Sequence, residues 1–185
     1  ASITIVEIRE DARYGGLRVR LLGRLGNARC TVQLDVGYGD AVAPGPEEAV
    51  YPTLLDDQPP PRLRVYPRAT VVAEKLEAMV SLGMANSRMK DYFDLRALAR
   101  EGVLDARLLR DAIAATFQRR GTALPVNVPL GLSDEFARDA TKRAQWKAFL
   151  GKNRLDAPTL DEVIVEIRDF VAEPLRLARG RKGTP

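Results

Sequence analysis

The sequence has no histidine and only one cysteine, and each shortage excludes a class of function. Histidine is the most common general base, so its absence excludes Ser-His and Cys-His nucleophile pairs. The single cysteine, Cys30, excludes an internal disulfide framework, and the lack of histidine also excludes a zinc finger or knuckle. Any catalysis by this chain must therefore rest on carboxylates, lysines and metal ions.

Length and composition describe an ordinary globular protein. The chain has 185 residues, of which 45% are hydrophobic and 29% charged, and this balance argues against disorder as the main state. It shows no secretory leader and no run of about 18 apolar residues, so we expect a cytoplasmic protein without membrane segments. The net charge of +4 favours an anionic partner such as a nucleotide or RNA.

Three alternating runs in the first third predict β-strands. They extend from Ile3 to Ile8, from Leu17 to Leu22 and from Cys30 to Val36, with glycine-containing turns between them. Because apolar and polar residues alternate, we expect an antiparallel meander with one buried face. Cys30 lies among the apolar positions and is predicted to belong to the core.

A proline-rich stretch separates these strands from a helical remainder. Six of the twelve prolines fall between Pro44 and Pro61, so the stretch 37–67 is predicted to be an ordered but irregular connection. After Pro67 the hydrophobic spacing becomes helical. We expect helices near 68–82, 87–100, 105–119, 133–139, 141–150 and 159–178.

Two charges lie in the apolar arcs of neighbouring helices, in the segment AEKLEAMVSLGMANSRMKDYFDL, residues 73–95. At about 100° per residue, Lys75 falls near the middle of the first arc, Asp91 falls within the second, and Asp94 lies at the edge of the second. The short GMANS connection makes the helices neighbours, so Lys75 and Asp91 are expected to face a common region. Three interpretations stay open: a lysine whose ammonium reaches water, a structural ion pair, and a phosphate site in which the aspartate orients the ligand or acts as a base.

The segment VYPRATVVAEKLEAMVSLGMANSRMKDYFDL, with the upstream QLDVGYGDAVAPGPEEAVYPTLLD, resembles the nucleotidyl transferase AbiEii/AbiGii toxin family. The shared pattern is an Asp-bearing strand with a Gly-Asp turn, then AEK, then an Arg/Lys-Asp-x-x-Asp-Leu helix, and it covers about residues 14–100. The resemblance implies an α+β fold. Residues 1–66 would be the remainder of a nucleotidyltransferase-like domain with a partial antiparallel or mixed sheet, and residues 67–185 a C-terminal helical domain.

The resemblance also implies a function. Members of this family act as toxins of toxin–antitoxin or abortive-infection systems, which implies transfer of a nucleotide from an NTP, with Mg²⁺, to an acceptor such as the 3′ end of tRNA. An antitoxin protein is the further partner that it implies. Lys75 matches the lysine expected to engage the triphosphate, Asp91 matches the aspartate that accompanies it, and Asp35 is the candidate for a third carboxylate.

Four more residues are candidates for the nucleotide site, because they lie in the same motifs. Arg88 and Lys90 flank Asp91 and would contact nucleotide phosphates, or would simply be exposed on their helix. Asp40, in the Gly-Asp turn, and Asp94 would support the site. The residues that would hold the metal are unknown.

The sequence departs from the family at one motif. Family members carry a Gly-Ser or Gly-Gly turn followed by Asp-x-Asp or Asp-x-Glu, whose carboxylates hold the metals that two-metal chemistry needs. The sequence contains no such motif. We therefore expect the chain to correspond to the C-terminal two thirds of a family member and to be inactive alone. The alternative is a non-catalytic module that binds a nucleotide, RNA or an antitoxin.

Overall fold

The computed structural model describes residues 2–8, 15–39, 41–102 and 104–180, and the chain divides into two compact units, Ala1–Asp40 and Ala41–Pro185. The predicted α+β class is confirmed. These two units do not test the domain boundary predicted at residue 66, so that boundary stays a prediction.

The strands are β1 (Ser2–Ile8), β2 (Gly16–Leu25), β3 (Ala28–Gly37), β4 (Glu47–Val50) and β5 (Arg62–Val65). The helices are α1 (Arg68–Leu82), α2 (Met89–Glu101), α3 (Ala106–Arg120), α4 (Asp134–Arg138), α5 (Ala140–Asn153) and α6 (Leu160–Gly180).

The first unit contains the predicted meander, with β2 paired antiparallel to both β1 and β3. Ile5 lies opposite Val19, and Val19 lies opposite Leu34, so apolar side chains of all three strands share one face. The prediction that this face is buried is wrong, because Leu34 is 50% exposed. Cys30 is exposed as well, so its assignment to the core is also wrong. Alternation fixes which side chains share a face, but burial needs a second layer, and the described residues of this three-stranded unit do not themselves supply one.

The second unit begins with a two-stranded ribbon inside the proline-rich connection. Strands β4 and β5 pair antiparallel, with Ala49 opposite Leu63. The prolines of this stretch all lie outside the paired residues, in agreement with their inability to donate to a ladder. The connection is therefore ordered, and it holds a short ribbon that the composition did not predict.

The six helices form the core of the second unit and agree with the predicted spans to within a few residues. Helix α1 packs against α3, and both α2 and α3 pack against α6. Helix ends follow local chemistry: the Asp105 carboxylate accepts hydrogen bonds from two backbone N–H groups of α3, and Gly83 ends α1 with φ of 49°. Over the described ranges, none of the helices has the length and apolarity needed to cross a bilayer.

A short 3₁₀ turn, Leu130–Leu132, ties α1 to α2. The Tyr92 hydroxyl of α2 donates a hydrogen bond of 2.8 Å to the Gly131 carbonyl. Gly131 in turn lies against the Met79 carbonyl of α1, so closely that an added Cβ would overlap it. The turn fixes the spacing of the two helices that carry the charged pair.

One carboxylate of α1, that of Glu77, is buried. Glu77 accepts hydrogen bonds from Arg120 at 2.7 Å and from the Thr122 hydroxyl at 2.5 Å. The end of α3 covers this side of α1, which the pattern of a single helix cannot reveal. The burial of the carboxylate is compensated by its charged and hydroxyl partners.

Candidate functional site

Lys75 and Asp91 meet as the helical spacing predicts. The Lys75 ammonium lies 2.5 Å from Asp91 Oδ1 and 2.9 Å from Asp94 Oδ2. Asp91 and Asp94 are three residues apart on α2, so both carboxylates point to the same side of that helix. The lysine side chain is 17% exposed, which rules out the interpretation of an ammonium extended freely into water. The structure therefore leaves the ion pair and the ligand site as interpretations.

The two carboxylates change the proton affinity of the cluster. Burial alone would lower the pKa of Lys75, but its hydrogen bonds to Asp91 and Asp94 outweigh burial and raise that pKa above its ordinary value. Burial would likewise raise the pKa of Asp94, but the hydrogen bonds from Lys75 and Lys90 hold it below its ordinary value. The lysine is thus held as a cation and Asp94 as an anion, so Lys75 is unsuited to act as a general base near neutral pH.

Lys90 completes a four-charge cluster. Its ammonium lies 2.5 Å from the same Asp94 oxygen that Lys75 contacts, while its side chain is 72% exposed. Two lysines thus balance two aspartates, and the cluster is neutral. An ammonium has three N–H donors, and two of those on Lys75 point to Asp91 and Asp94. Among the described residues the third has no acceptor.

An open groove of about 570 Å³ adjoins the cluster between the start of α2 and one face of α5. Its lining residues are Ser87, Arg88, Met89, Lys90, Asp91, Gln145, Ala148 and Phe149. The groove therefore brings two predicted phosphate-binding residues, Arg88 and Lys90, to one wall together with Asp91. Sequence reasoning did not find the other wall, because a contact between α2 and α5 joins residues more than 50 positions apart and leaves no local pattern.

The other predicted carboxylates are Asp35 and Asp40. Asp35 belongs to β3 in the first unit, and its two oxygens accept hydrogen bonds of 2.7 and 2.8 Å from Arg18. Its proposed role in the site stays a prediction. Asp40 lies outside the described residues.

The described residues do not fit a Mg²⁺ ion. Magnesium is held by hard oxygen ligands that carry negative charge. The nearest pair of carboxylates, Asp91 and Asp94, is already neutralised by two ammonium groups at 2.5 to 2.9 Å. Within the described ranges no group of three or more histidine, cysteine, aspartate or glutamate side chains could hold a metal ion.

Basic residues of α3 and α5 are the other candidates for a ligand surface, namely Arg119, Arg120, Lys142, Arg143 and Lys147. Two of them are engaged inside the fold. Arg120 pairs with the buried Glu77, and Lys142, which is 6% exposed, donates to the Asn86 carbonyl at 3.0 Å. Lys147, in contrast, is exposed on α5. Because two of the five residues are engaged inside the fold, the five do not form one continuous basic surface.

Comparison with known proteins connects this geometry to a family. Residues 1–171 match the family described as nucleotidyl transferase AbiEii toxin, type IV toxin–antitoxin system. The match covers most of the 185 residues, namely the whole of the first unit and most of the second. No curated protein shows significant similarity to the chain.

Proposed function

Because the chain belongs to the AbiEii nucleotidyl transferase toxin family, we propose that it engages the phosphates of a nucleoside triphosphate at the Lys75–Asp91 cluster. The observation that supports this proposal is the half-buried Lys75 ammonium, which two carboxylates hold in place while one N–H donor is left over. A preorganised cation costs little to orient when an anion arrives. Arg88 and Lys90, on the wall of the adjacent groove, would add charge for the remaining phosphates.

In the transfer reaction the two aspartates act through the lysine. Asp91 and Asp94 fix the position of the ammonium and keep it protonated, so Lys75 can stabilise the negative charge of the reacting phosphate. Magnesium would supply further charge neutralisation and an activated acceptor oxygen, and the described residues offer no site for it. We therefore derive from this chain the binding and orientation of the nucleotide alone.

A second candidate is a non-catalytic module that binds a nucleotide. The neutral charge of the four-residue cluster favours it, because carboxylates already paired with lysines are poor metal ligands. This candidate shares the role of Lys75 with the first. The two differ in whether a nucleotide is transferred to an acceptor.

A titration with each labelled NTP tests the shared role. We expect saturable binding by the wild type and a loss of at least about tenfold in Lys75→Met, which removes one charge-assisted hydrogen bond worth about 1.5–3 kcal/mol. The matched control is Lys147→Met, which removes an exposed lysine from a different helix. Equal affinity of wild type and Lys75→Met, with both proteins folded, would contradict the proposal.

Transfer is then measured with α-labelled NTP, Mg²⁺ and bulk tRNA. Label on the RNA that depends on Lys75 would support the enzyme. NTP binding without any label on the RNA would favour the binding module for this chain.

A further inference from the structure

The Lys142 ammonium of α5 is a buried cation without an acidic partner among the described residues. It donates to the Asn86 carbonyl at 3.0 Å, and it lies 3.5 Å from Gln145 Oε1 and 5.3 Å from the centre of the Phe136 ring. A carbonyl and the face of an aromatic ring both attract a cation, but neither supplies an opposite charge. Burying such a charge costs more than burying an apolar side chain of similar size. Packing of α5 alone therefore does not account for a lysine at this position.

Asn86, which accepts the hydrogen bond from this lysine, fixes the start of α2. It is fully buried in the connection between α1 and α2. Its side-chain Oδ1 accepts a hydrogen bond of 2.9 Å from the Arg88 N–H, and this Asx-turn sets the direction in which the chain enters α2 at Met89. Its own N–H donates to the Gly83 carbonyl, just after α1, at 3.1 Å. With the lysine on its carbonyl, Asn86 joins the end of α1, the start of α2 and α5.

The proposed nucleotide-binding residues of α2 follow Asn86 within five positions. Arg88 is the second residue after it, Lys90 the fourth and Asp91 the fifth. The Asp91 N–H donates to the Arg88 carbonyl at 2.9 Å, so this stretch of backbone moves as a unit. The Asp91 carboxylate in turn holds the Lys75 ammonium at 2.5 Å. A displacement of Asn86 would therefore reach both the groove wall and the charged cluster.

We propose that Lys142 is a positioning residue for the nucleotide site. Its ammonium holds the Asn86 carbonyl and thereby keeps the start of α2 in the arrangement that binds phosphate. Lys142 itself is buried and does not line the groove, so it acts through the backbone and not by contact with the nucleotide. This inference rests on the proposed function, because it concerns the affinity of the Lys75–Asp91 cluster for a nucleoside triphosphate.

The affinity of the full chain for a fluorescent nucleoside triphosphate tests the proposal. ATP, CTP, GTP and UTP, each with a fluorescent label on the ribose, are titrated separately, and the one that binds most tightly is used for all variants. Lys142→Met keeps a long unbranched side chain but removes the N–H donors. If the start of α2 then spends about a fifth of the time in its binding arrangement, the apparent affinity falls about fivefold. We expect a loss of roughly three- to tenfold on this basis.

Arg143→Met is the matched control. Arg143 is the next residue of α5, and its Nε donates to the Ala137 carbonyl of α4 at 3.1 Å. The substitution therefore also removes one positive charge and one hydrogen bond from α5 to a backbone carbonyl, but that carbonyl does not lead into α2. We expect Arg143→Met to keep the wild-type affinity for the nucleotide. Equal losses of affinity in Arg143→Met and Lys142→Met would overturn the inference.

A double variant separates positioning from a general loss of stability. All proteins are compared at a temperature at which circular dichroism shows them folded. Because Lys142 acts through the cluster that contains Lys75, Lys142→Met combined with Lys75→Met should lose less affinity than the product of the two single losses. A loss equal to that product would show that Lys142 acts independently of the cluster and would overturn the inference.

Amide hydrogen exchange of the segment 83–95 gives a readout that needs no nucleotide. We expect faster exchange in Lys142→Met than in wild type, because the start of α2 opens more often, and wild-type exchange in Arg143→Met. If exchange follows this pattern while Lys75→Met binds NTP like wild type, the proposed function fails and Lys142 still fixes the start of α2. If NTP binding depends on Lys75 while Lys142→Met keeps the wild-type affinity, the inference about Lys142 fails alone.

Discussion

Replacing Lys75 with methionine tests how much the charged cluster contributes to stability. The substitution keeps a long unbranched side chain but removes the ammonium between Asp91 and Asp94. Asp91 then loses its cation, and Asp94 retains only Lys90. The two aspartates also repel each other, at a place where both are mostly buried.

The expected loss of stability follows from the distance between the charges and from how far their side chains are exposed. Two opposite charges about 4 Å apart attract by about 4 kcal/mol at an effective dielectric constant of 20, and removing one partner of a buried pair typically costs 3–5 kcal/mol. The side chains of Lys75 and Asp91 are 17% and 15% exposed, so water screens part of this attraction. Methionine also regains some apolar packing. We therefore expect the free energy of unfolding to fall by about 2–4 kcal/mol, or Tm by roughly 5–15 °C.

Lys90→Met is the matched control. Lys90 contacts the same Asp94 carboxylate at 2.5 Å, but its side chain is 72% exposed, so the same substitution should cost no more than about 0.5 kcal/mol. Adding Asp91→Asn to Lys75→Met should restore part of the lost stability, because it removes the uncompensated charge. Urea unfolding followed by circular dichroism at the helical band measures all three. The reasoning is refuted if Lys75→Met and Lys90→Met cost the same.

Three further predictions concern the pH dependence of stability and the packing of glycines. The pKa of Asp94 is lowered in the folded state, so the charged carboxylate stabilises the fold above the ordinary pKa of 3.8, and this stabilisation is lost as pH falls through the folded pKa. The urea midpoint of the wild type should therefore drop more steeply below about pH 4 than the midpoint of Asp94→Asn. The pKa of Lys75 is raised in the folded state, so the stabilisation from its ammonium is complete below the ordinary pKa of 10.5 and is lost as pH rises through the folded pKa. Parallel alkaline profiles of the urea midpoint for wild type and Lys75→Met would contradict this. Gly131→Ala should lower the free energy of unfolding by about 1–3 kcal/mol or more, because the added Cβ overlaps the Met79 carbonyl. Gly151→Ala, which has open space around it in α5, should be neutral or stabilising. Thermal unfolding compares the two variants, and equal values would contradict the packing argument.

The sequence predicts those features that depend on neighbouring residues. Helix spans followed from the hydrophobic spacing, and the helices begin and end at local signals such as the Asp105 cap and the Gly83 stop, which act within one turn. The meeting of Lys75 and Asp91 also followed, because each helix has a fixed period and the connection between them is short.

Features that join distant parts of the chain were not predictable in this way. The burial of Glu77 depends on the end of α3, more than 40 residues away. The groove depends on α5 packing beside the start of α2, and the burial of Lys142 depends on its contact with Asn86. A single helix shows which of its sides is apolar but not which partner covers a polar residue, and the same limit explains the wrong assignment of Cys30.

The exposed apolar face of the β1–β3 meander affects how the protein behaves in solution. Side chains such as Ile3, Ile5, Val32 and Leu34 remain 45–65% exposed, so burying the part that is still exposed would yield roughly half of the 1.5–3 kcal/mol that full burial of such a side chain gives. That free energy favours association of two molecules through these faces, and no unfolding has to come first. Protein concentration will therefore affect how well this chain stays dispersed. Lowering temperature should help, because hydrophobic association weakens on cooling.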